Sequence, residues 1–549
     1  MSARDEVSAH LDKLVRRLGL RSPWLWMFAI ALFALVVYRR ASGLGFVFED
    51  ESLLVRSDAV RAPLSVLRAL STDAWGAPRD ASWQTGLYRP LTSLVWAVVW
   101  RLGHGTPKLF HALSVLLHAA SSALVLRFAW GRFRSNIGAV VAGSVFAAHT
   151  LHTDAVFPAS NLGDILGFLA VAAVYTLHGR GGPAPRIVAP ATLLLGALSS
   201  ELTLVALPLV MIRDARDGVA WRTWPARYAG YAFALMAYIA LRTRALGPGS
   251  QRDLSLYNPL AGASTAQRAL TAVRTFGKVA RLTMAPLDLL PDYSPSAILP
   301  SSKLDTDVAF GAAVIAALAA MIAWSWRRRH ALGEAATWTL VAGAVTANVP
   351  FLLARPFSEH GWYMASAGAC VLFGAAFARV AHRVGVFVAA AGLAVVLLAL
   401  TALTSSRHAV WASTEMLMLD AAQVHRDGAV AQAAYGEVHI AHGAPFLGLR
   451  RCRLAARVMP RWAEPWGCIA RALEREGRMP EAHEAYASML AREGVTLDRR
   501  TQYIRFIARD GDPAEAIRAL DALERQGPWS VWHRLNLAET RQVVTQRLR

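Results

Sequence analysis

The sequence predicts an all-α protein: a polytopic membrane helix bundle of about eleven spans, followed by a C-terminal α-solenoid. Three observations predict it. The 549 residues are 55% hydrophobic, with a mean hydropathy of +0.33 and 18 tryptophans, which is more apolar surface than one soluble core needs. Apolar runs recur between residues 23 and 404, separated by short loops that carry arginine. After about residue 405 the composition turns charged, the apolar runs stop, and a 34-residue period sets in.

The opening segment, residues 1–22, is charged, and no small-residue cleavage site follows its apolar run, so the first span is expected to stay as an anchor. Spans are expected near residues 23–39, 108–130, 137–151, 160–178, 187–199, 201–213, 226–242, 309–326, 335–354, 362–381 and 384–404. The two pieces broken at Ser199, Ser200 and Glu201 are short and could instead form one re-entrant unit. With the N-terminus inside, the inner loops collect Arg16, Arg17 and Arg21, then Arg132 and Arg134, Arg180 and Arg186, Arg213, Arg216, Arg222 and Arg227, Arg327 to Arg329, and Arg379 and Arg383. That satisfies the positive-inside rule at each turn. It requires LTSLVWAVVW (residues 91–100) to lie on the outer face as a surface or re-entrant helix, and residues 268–285, with Arg268, Arg274, Lys278 and Arg281, to form an interfacial amphipathic helix.

A formal charge of +20 could suggest nucleic acid, but the arginines sit in short clusters between apolar runs rather than in one stripe, and nucleic-acid binding is set aside. Three cysteines give no disulfide framework and no metal spacing; Cys452 and Cys468 in the tail either bridge or are buried as small apolar residues.

In the tail, Gly443, Gly477 and Gly511 are 34 apart, as are Gly448, Ala482 and Ala516, and Cys452, Tyr486 and Leu520. This is the tetratricopeptide period: a turn glycine, a small residue where two helices touch, and a larger apolar residue that fills the groove. The chain therefore divides into a cytoplasmic segment (1–22), a membrane domain (23–404) and a repeat domain (405–549), and an odd number of spans puts the repeats outside.

The ionisable residues gather at outer span ends and outer loops. They are Glu49, Asp50 and Glu51 in FVFEDESLLV, Tyr88 and Arg89 in LYRPL, His149, His152 and Asp154 in AHTLHTDAV, and Asn161 and Asp164 in SNLGD. Glu201, Asp288, Asp292, Arg355, Glu359 and His360 complete the set. Charges at apolar helix ends cost several kcal/mol unless paired or wetted, so a convergent set suggests a water-accessible outer pocket. A carboxylate there can serve as general base to a hydroxyl and a cation can stabilise a phosphate leaving group, which is the geometry of glycosyl transfer from a lipid-phosphate donor. Taken singly, the acids could be a solvated loop or helix cap and the histidines interfacial hydrogen-bonding residues. HTLHTD lacks a second ligand pair, so no metal is assigned; a divalent ion bridging the acids and a phosphate is a further arrangement the pattern admits.

FVFEDESLLV, YRPL, HALSVLLHA, AAHTLHTDAV, SNLGDIL, SSELTLVALPLVMIRD, PDYS and SEHGWYMASAG occur in that order ahead of the repeats. The ordered set resembles the transmembrane and tetratricopeptide-repeat O-mannosyltransferases of the GT-C superfamily. The resemblance implies a multi-span inverting glycosyltransferase that takes a polyprenyl-phosphate sugar, commonly mannose, and acts on protein hydroxyls outside the cytoplasm. It makes Asp50 the expected base and Glu49 the residue that positions it. Arg89, Arg355 and His360 are the expected phosphate ligands, and Glu51, Tyr88, His152, Asp154, Asp164, Glu201, Asp292 and Glu359 line the expected pocket. Three places where the family usually carries a cation hold Leu162, Ser200 and His360 instead. The expected partners are the lipid donor, membrane lipid and a protein acceptor held in the repeat groove, and the expected setting is a bacterial inner membrane with periplasmic repeats. A membrane scaffold with a vestigial pocket is the rival reading. A lipid flippase or transporter fits less well, because its ionisable residues would sit at mid-membrane.

Overall fold

The computed structural model describes residues 22–79, 81, 83–132, 136–180, 182–247, 256–293, 296–328, 330–349 and 351–548. Of the predicted cytoplasmic segment only Ser22 is among them, and Arg134 and Arg329 lie outside them as well. The described residues are helical, with two isolated bridges and no sheet.

Thirteen helices build the bundle: α1 (Pro23–Val37), α2 (Pro90–Leu102), α3 (Pro107–Ala129), α4 (Ile137–Ala148), α5 (Leu162–His178), α6 (Pro183–Ala197), α7 (Ala206–Asp217), α8 (Trp224–Leu246), α9 (Thr265–Met284), α10 (Thr306–Trp326), α11 (Ala331–Thr346), α12 (Tyr363–Val384) and α13 (Val386–Val410). Proline opens several of them, where its missing N–H costs nothing, and Asp305 caps α10 by accepting from the Val308 N–H at 2.9 Å.

Each of the eleven predicted apolar stretches is helical, and among the described residues six helices are long and apolar enough to cross a membrane. The other five are short, split or charged. α4 has 12 residues and is almost wholly enclosed by neighbours, α6 contains Pro190, α7 follows a tight turn over Glu201–Val205, and α8 carries Arg227, Arg242 and Arg244. The stretch predicted over 335–354 ends early, at Thr346, because Asn348 takes a left-handed φ of 61° and turns the chain. That predicted over 137–151 stops at Ala148, where His149 Nδ1 accepts from the Leu151 N–H at 3.2 Å.

α12 packs between α4 and α11, and the α4 crossing is tight: a Cβ on Gly374 would lie 2.1 Å from the Gly138 carbonyl oxygen. α13 lies at the margin, with Phe387, Val395 and Leu398 exposed. α2, at 13 residues, is too short to cross; its Arg101 donates to the carbonyls of Val60 and Ala62 and ties it to the first long loop. α9 is amphipathic, opens with a Ser264–Gln267 capping box, and pairs Arg274 and Arg281 with Asp307 of α10 at 3.3 and 2.7 Å.

The arginine-rich loops meet at one end of the bundle. Arg216 and Arg132 reach Glu334 at 2.6 and 3.5 Å, and Arg227 and His178 reach Asp214 at 2.5 and 3.0 Å. The acidic motifs collect at the other end.

The tail forms α14 (Thr414–Val424), α15 (Ala429–Ala441), α16 (Pro445–Val458), α17 (Ala463–Arg475), α18 (Met479–Leu490), α19 (Leu497–Asp510), α20 (Pro513–Glu524) and α21 (Val531–Leu548). α15, α17 and α19 start 34 residues apart, as do α16, α18 and α20, so the period read from the sequence is the period of the helix pairs. Gly443 and Gly477 sit at φ of 78° and 75°, the left-handed conformation that closes a helix, and Cys452, Tyr486 and Leu520 are fully buried between helices. Of the two options left open for the tail cysteines the structure takes the bridge: Cys452 and Cys468 form a disulfide between α16 and α17, with Cα atoms 5.8 Å apart.

The repeats lean on the first long loop at both ends. The Phe48 N–H donates to Thr414 Oγ1 (2.9 Å), while the Val531 N–H donates to Asp58 (3.0 Å) and Trp83 Nε1 to the Pro528 carbonyl (2.7 Å).

Candidate functional site

The loop after α1 brings the acidic motif back over the bundle. Phe48 adopts φ of 56°, an uncommon conformation for a bulky residue, and the five residues from Glu51 form a single π-turn, closed by Arg56 N–H to Glu51 carbonyl at 2.9 Å. Between these two irregularities the Asp50 carboxylate points inward and is fully buried. It accepts from the Ser160 N–H at 2.7 Å and from the Val47 N–H at 3.2 Å. Burial pushes its pKa up to about 6 despite these hydrogen bonds.

Glu49 turns the other way and pairs with Arg355, whose guanidinium also stands 3.7 Å from Asp292 and over the Phe48 ring at 5.7 Å. Burial opposes the charge on Arg355, but Glu49 and Asp292 outweigh it and hold the proton more firmly than usual. The loop that carries Arg355 is fixed by Asn348, whose side-chain amide donates to the Pro356 carbonyl at 3.0 Å.

A second chain of charges runs across α5, α6 and the start of α12. Arg89 makes a fork of two hydrogen bonds to Glu201 (3.0 and 3.1 Å) and stands 3.5 Å from Asp164. Asp164 accepts from Ser200 Oγ at 2.9 Å and faces His360 Nε2 at 3.8 Å. His360 reaches Asp154 through its backbone N–H and Nδ1, at 2.9 and 2.8 Å. Glu359 accepts from Tyr293 Oη (2.5 Å) and the Leu290 N–H (2.7 Å); burial, and then the nearby Asp154 charge, push its pKa above the usual carboxylate range. Gly163 makes room for this contact zone, since a Cβ there would meet the Ser199 carbonyl at 2.8 Å and Thr92 Oγ1 at 3.1 Å.

The structure thus gathers Glu49, Asp50, Arg89, Asp154, Asp164, Glu201, Asp292, Arg355, Glu359 and His360 at one end of the bundle. Three expected members have other surroundings. Tyr88 donates to the Leu70 carbonyl (3.0 Å) and packs near Tyr238. His152 is enclosed among Phe146, His118 and Tyr363, with Nδ1 donating to the Phe146 carbonyl at 2.8 Å, and Glu51 is exposed beside Arg56 at 3.5 Å. Of the three places without the usual cation, Leu162 packs on Trp96 and Ala159, Ser200 supplies a hydroxyl to Asp164, and His360 lies between two carboxylates.

Sequence reasoning missed Tyr293 and Lys278. Tyr293 stands in the PDYS motif, and its role shows only once Glu359 folds against it. Lys278, in sequence only an interfacial charge of α9, has its Nζ 5.0 Å from the Tyr293 ring centre, and burial lowers its pKa while Glu359 and Asp288 oppose that. Among the described residues no set of three or more His, Cys, Asp or Glu side chains converges as metal ligands. Beside the cluster a shallow cleft opens between the loop of Leu290, Pro291 and Asp292 and the first repeat helices, with Met418 and His425 on its far wall.

Fold and site together define an all-α integral membrane protein with a paired, carboxylate-rich cluster at one end of its bundle and a helical-repeat tail. Several relatives share one name. The chain is 31% identical to protein O-mannosyl-transferase Tmtc2 of Drosophila melanogaster over 245 residues, 42% of this chain and 26% of that protein. It is 22% identical over 347 residues to a protein O-mannosyl-transferase of Caenorhabditis elegans (62% of this chain, 49% of the relative), and 28% identical over 145 residues to human TMTC3 (26% and 16%). The chain spans less than half the length of each of these relatives. No family model matches the chain. No solved structure matches it. The motif resemblance to the transmembrane and tetratricopeptide-repeat O-mannosyltransferases is therefore matched by the names of its relatives.

Proposed function

We propose that the protein transfers a sugar, mannose in the first instance, from a polyprenyl-phosphate donor to Ser or Thr hydroxyls of proteins on the extracytoplasmic side of a membrane, with inversion. The observation that carries this reading is the convergence of motifs from five separate helix connections on one charged cluster, in a chain whose relatives are named protein O-mannosyl-transferases. Asp50 takes the proton of the acceptor hydroxyl, whose oxygen attacks the anomeric carbon as the bond to phosphate breaks and the lipid phosphate leaves with the electron pair. A carboxylate titrating near 6 is basic enough for this and still ionised at neutral pH. Glu49 positions the loop through Arg355, and Arg89, Arg355 and His360 receive the phosphate charge. Asp154, Asp164, Glu201 and Asp292 hold these cations in place. The cleft beside Asp292 is the approach, and the repeat groove recruits the acceptor.

The outward orientation is supported by arginine-rich loops gathered at the opposite end. The relatives are animal proteins and lend no support to the bacterial setting expected from the sequence.

The test follows labelled sugar from polyprenyl-phosphate mannose, and in parallel polyprenyl-phosphate glucose, to protein from the same cells. Loss of transfer in Asp50→Asn with folding and donor binding intact supports the reading. Absence of transfer from both donors by the wild type favours the alternative, a non-catalytic scaffold. One observation speaks for that alternative: both arginines of the cluster are already committed to carboxylates.

A further inference from the structure

At the opposite end of the bundle, away from the acidic cluster, a shallow, solvent-open cleft lies between α5, α7, α10 and α11. Its walls are of two kinds. Leu209, Ile212 and Ile322 supply aliphatic surface, while Arg213 and Arg216 supply two guanidinium groups on adjacent turns of α7. Arg216 is anchored, with Nη2 2.6 Å from Glu334 and 3.0 Å from Asp217. Arg213 is held less by charge: its guanidinium lies over the Tyr175 ring at 4.8 Å and donates to the Tyr175 carbonyl at 2.8 Å, while Asp217 is 3.7 Å away.

The local balance is positive. Arg132, Arg213 and Arg216 face Glu334 and Asp217, and Arg327 and Arg328 follow Trp326 of the cleft wall directly in the chain. Around the same end Trp221, Trp324 and Trp326 are exposed, at 74, 44 and 37%. Exposed tryptophans beside arginines at helix ends mark the depth of lipid head groups, where an amphipathic ring has one side in hydrocarbon and one in water. A cleft that is cationic, aliphatic and set at that depth matches a molecule with a phosphate joined to an acyl chain.

We propose that this cleft is a binding site for an anionic phospholipid, its phosphate held by Arg213 and Arg216 and its chain laid along Ile212 and Ile322. The site is separate from the acidic cluster and does not depend on the transferase reading.

The full chain, reconstituted in nanodiscs of phosphatidylcholine with a minority of phosphatidylglycerol, is extracted into mild detergent, and the lipids it retains are identified by native mass spectrometry. Two variants attack the site from different sides: Arg213→Gln removes charge, and Ile322→Trp fills the space while leaving every charge. The expected result is a fall of about fivefold in retained phosphatidylglycerol for each, with phosphatidylcholine unchanged. Retention equal to wild type in either variant overturns the proposal. Thermal protection by inorganic phosphate that is lost in Arg213→Gln, with no change in lipid retention, also overturns it and assigns the cleft to a free anion.

Discussion

Arg89 holds Glu201 by two parallel hydrogen bonds and presents its remaining charge to Asp164, so one guanidinium neutralises two carboxylates from different elements. The planar fork of arginine matches a carboxylate in a way that an ammonium cannot. The contact joins the loop before α2 to the first turn of α5 and to the turn after α6.

Removing that cation strands two enclosed acids. Arg89→Ala is expected to cost about 3–5 kcal/mol of stability, the usual size for breaking a buried pair, and Arg89→Lys an intermediate amount. Unfolding followed in detergent, with the double variant Arg89→Ala/Glu201→Ala alongside, checks this. The double variant should recover part of the loss; no recovery would mean that the pair is not the source.

Asp50 gives a pH dependence of definite sign. Its carboxyl titrates near 6 in the folded protein against an ordinary 3.8, so the folded state binds the proton more tightly. The stabilisation is full below about pH 4 and is lost as pH rises through about 6, amounting to about 3 kcal/mol. Asp50→Asn should flatten this slope between pH 4 and 7 in thermal unfolding. Transfer should run the opposite way, rising through pH 6 as the base loses its proton.

The crossing of α4 and α12 leaves no room for a methyl group. Gly374→Ala is expected to cost about 1–3 kcal/mol, whereas Gly392→Ala, where a Cβ meets nothing within 4 Å, should leave stability unchanged or slightly raised. Melting temperatures of the two variants in one detergent decide it.

The disulfide between Cys452 and Cys468 closes a short loop, with a sequence separation of 16. Cys468→Ser is expected to lower repeat-domain stability by about 3 kcal/mol. Mass spectrometry of the alkylated protein, before and after reduction, reads the bond itself.

Helix existence and repeat register were legible because they rest on periodicity, which a single chain displays: apolar runs mark the bundle helices, and residues 34 apart mark the repeats. Helix ends were less so. The stop at Asn348 depends on its amide finding Pro356 on the loop that follows and Asn258, 90 residues away in the chain. The same holds for the cluster. Glu49, Asp50, Arg89 and His360 could be chosen from motifs, but the inward turn of His152 and the approach of Lys278 are set by which side of a helix end meets its neighbour. His152 differs from Asp154 by two positions, and that step rotates one into the aromatic interior and the other towards His360.

The repeats touch the loop that carries Asp50 at both of its flanks, through Thr414 on Phe48 and through Val531 on Asp58. Loop and solenoid therefore behave as a closed frame rather than as a tether and a weight. A displacement of the repeat helices would therefore bear on the segments either side of that buried carboxylate, through Thr414 on one flank and through Val531, Pro528 and the Arg56–Asp498 pair on the other.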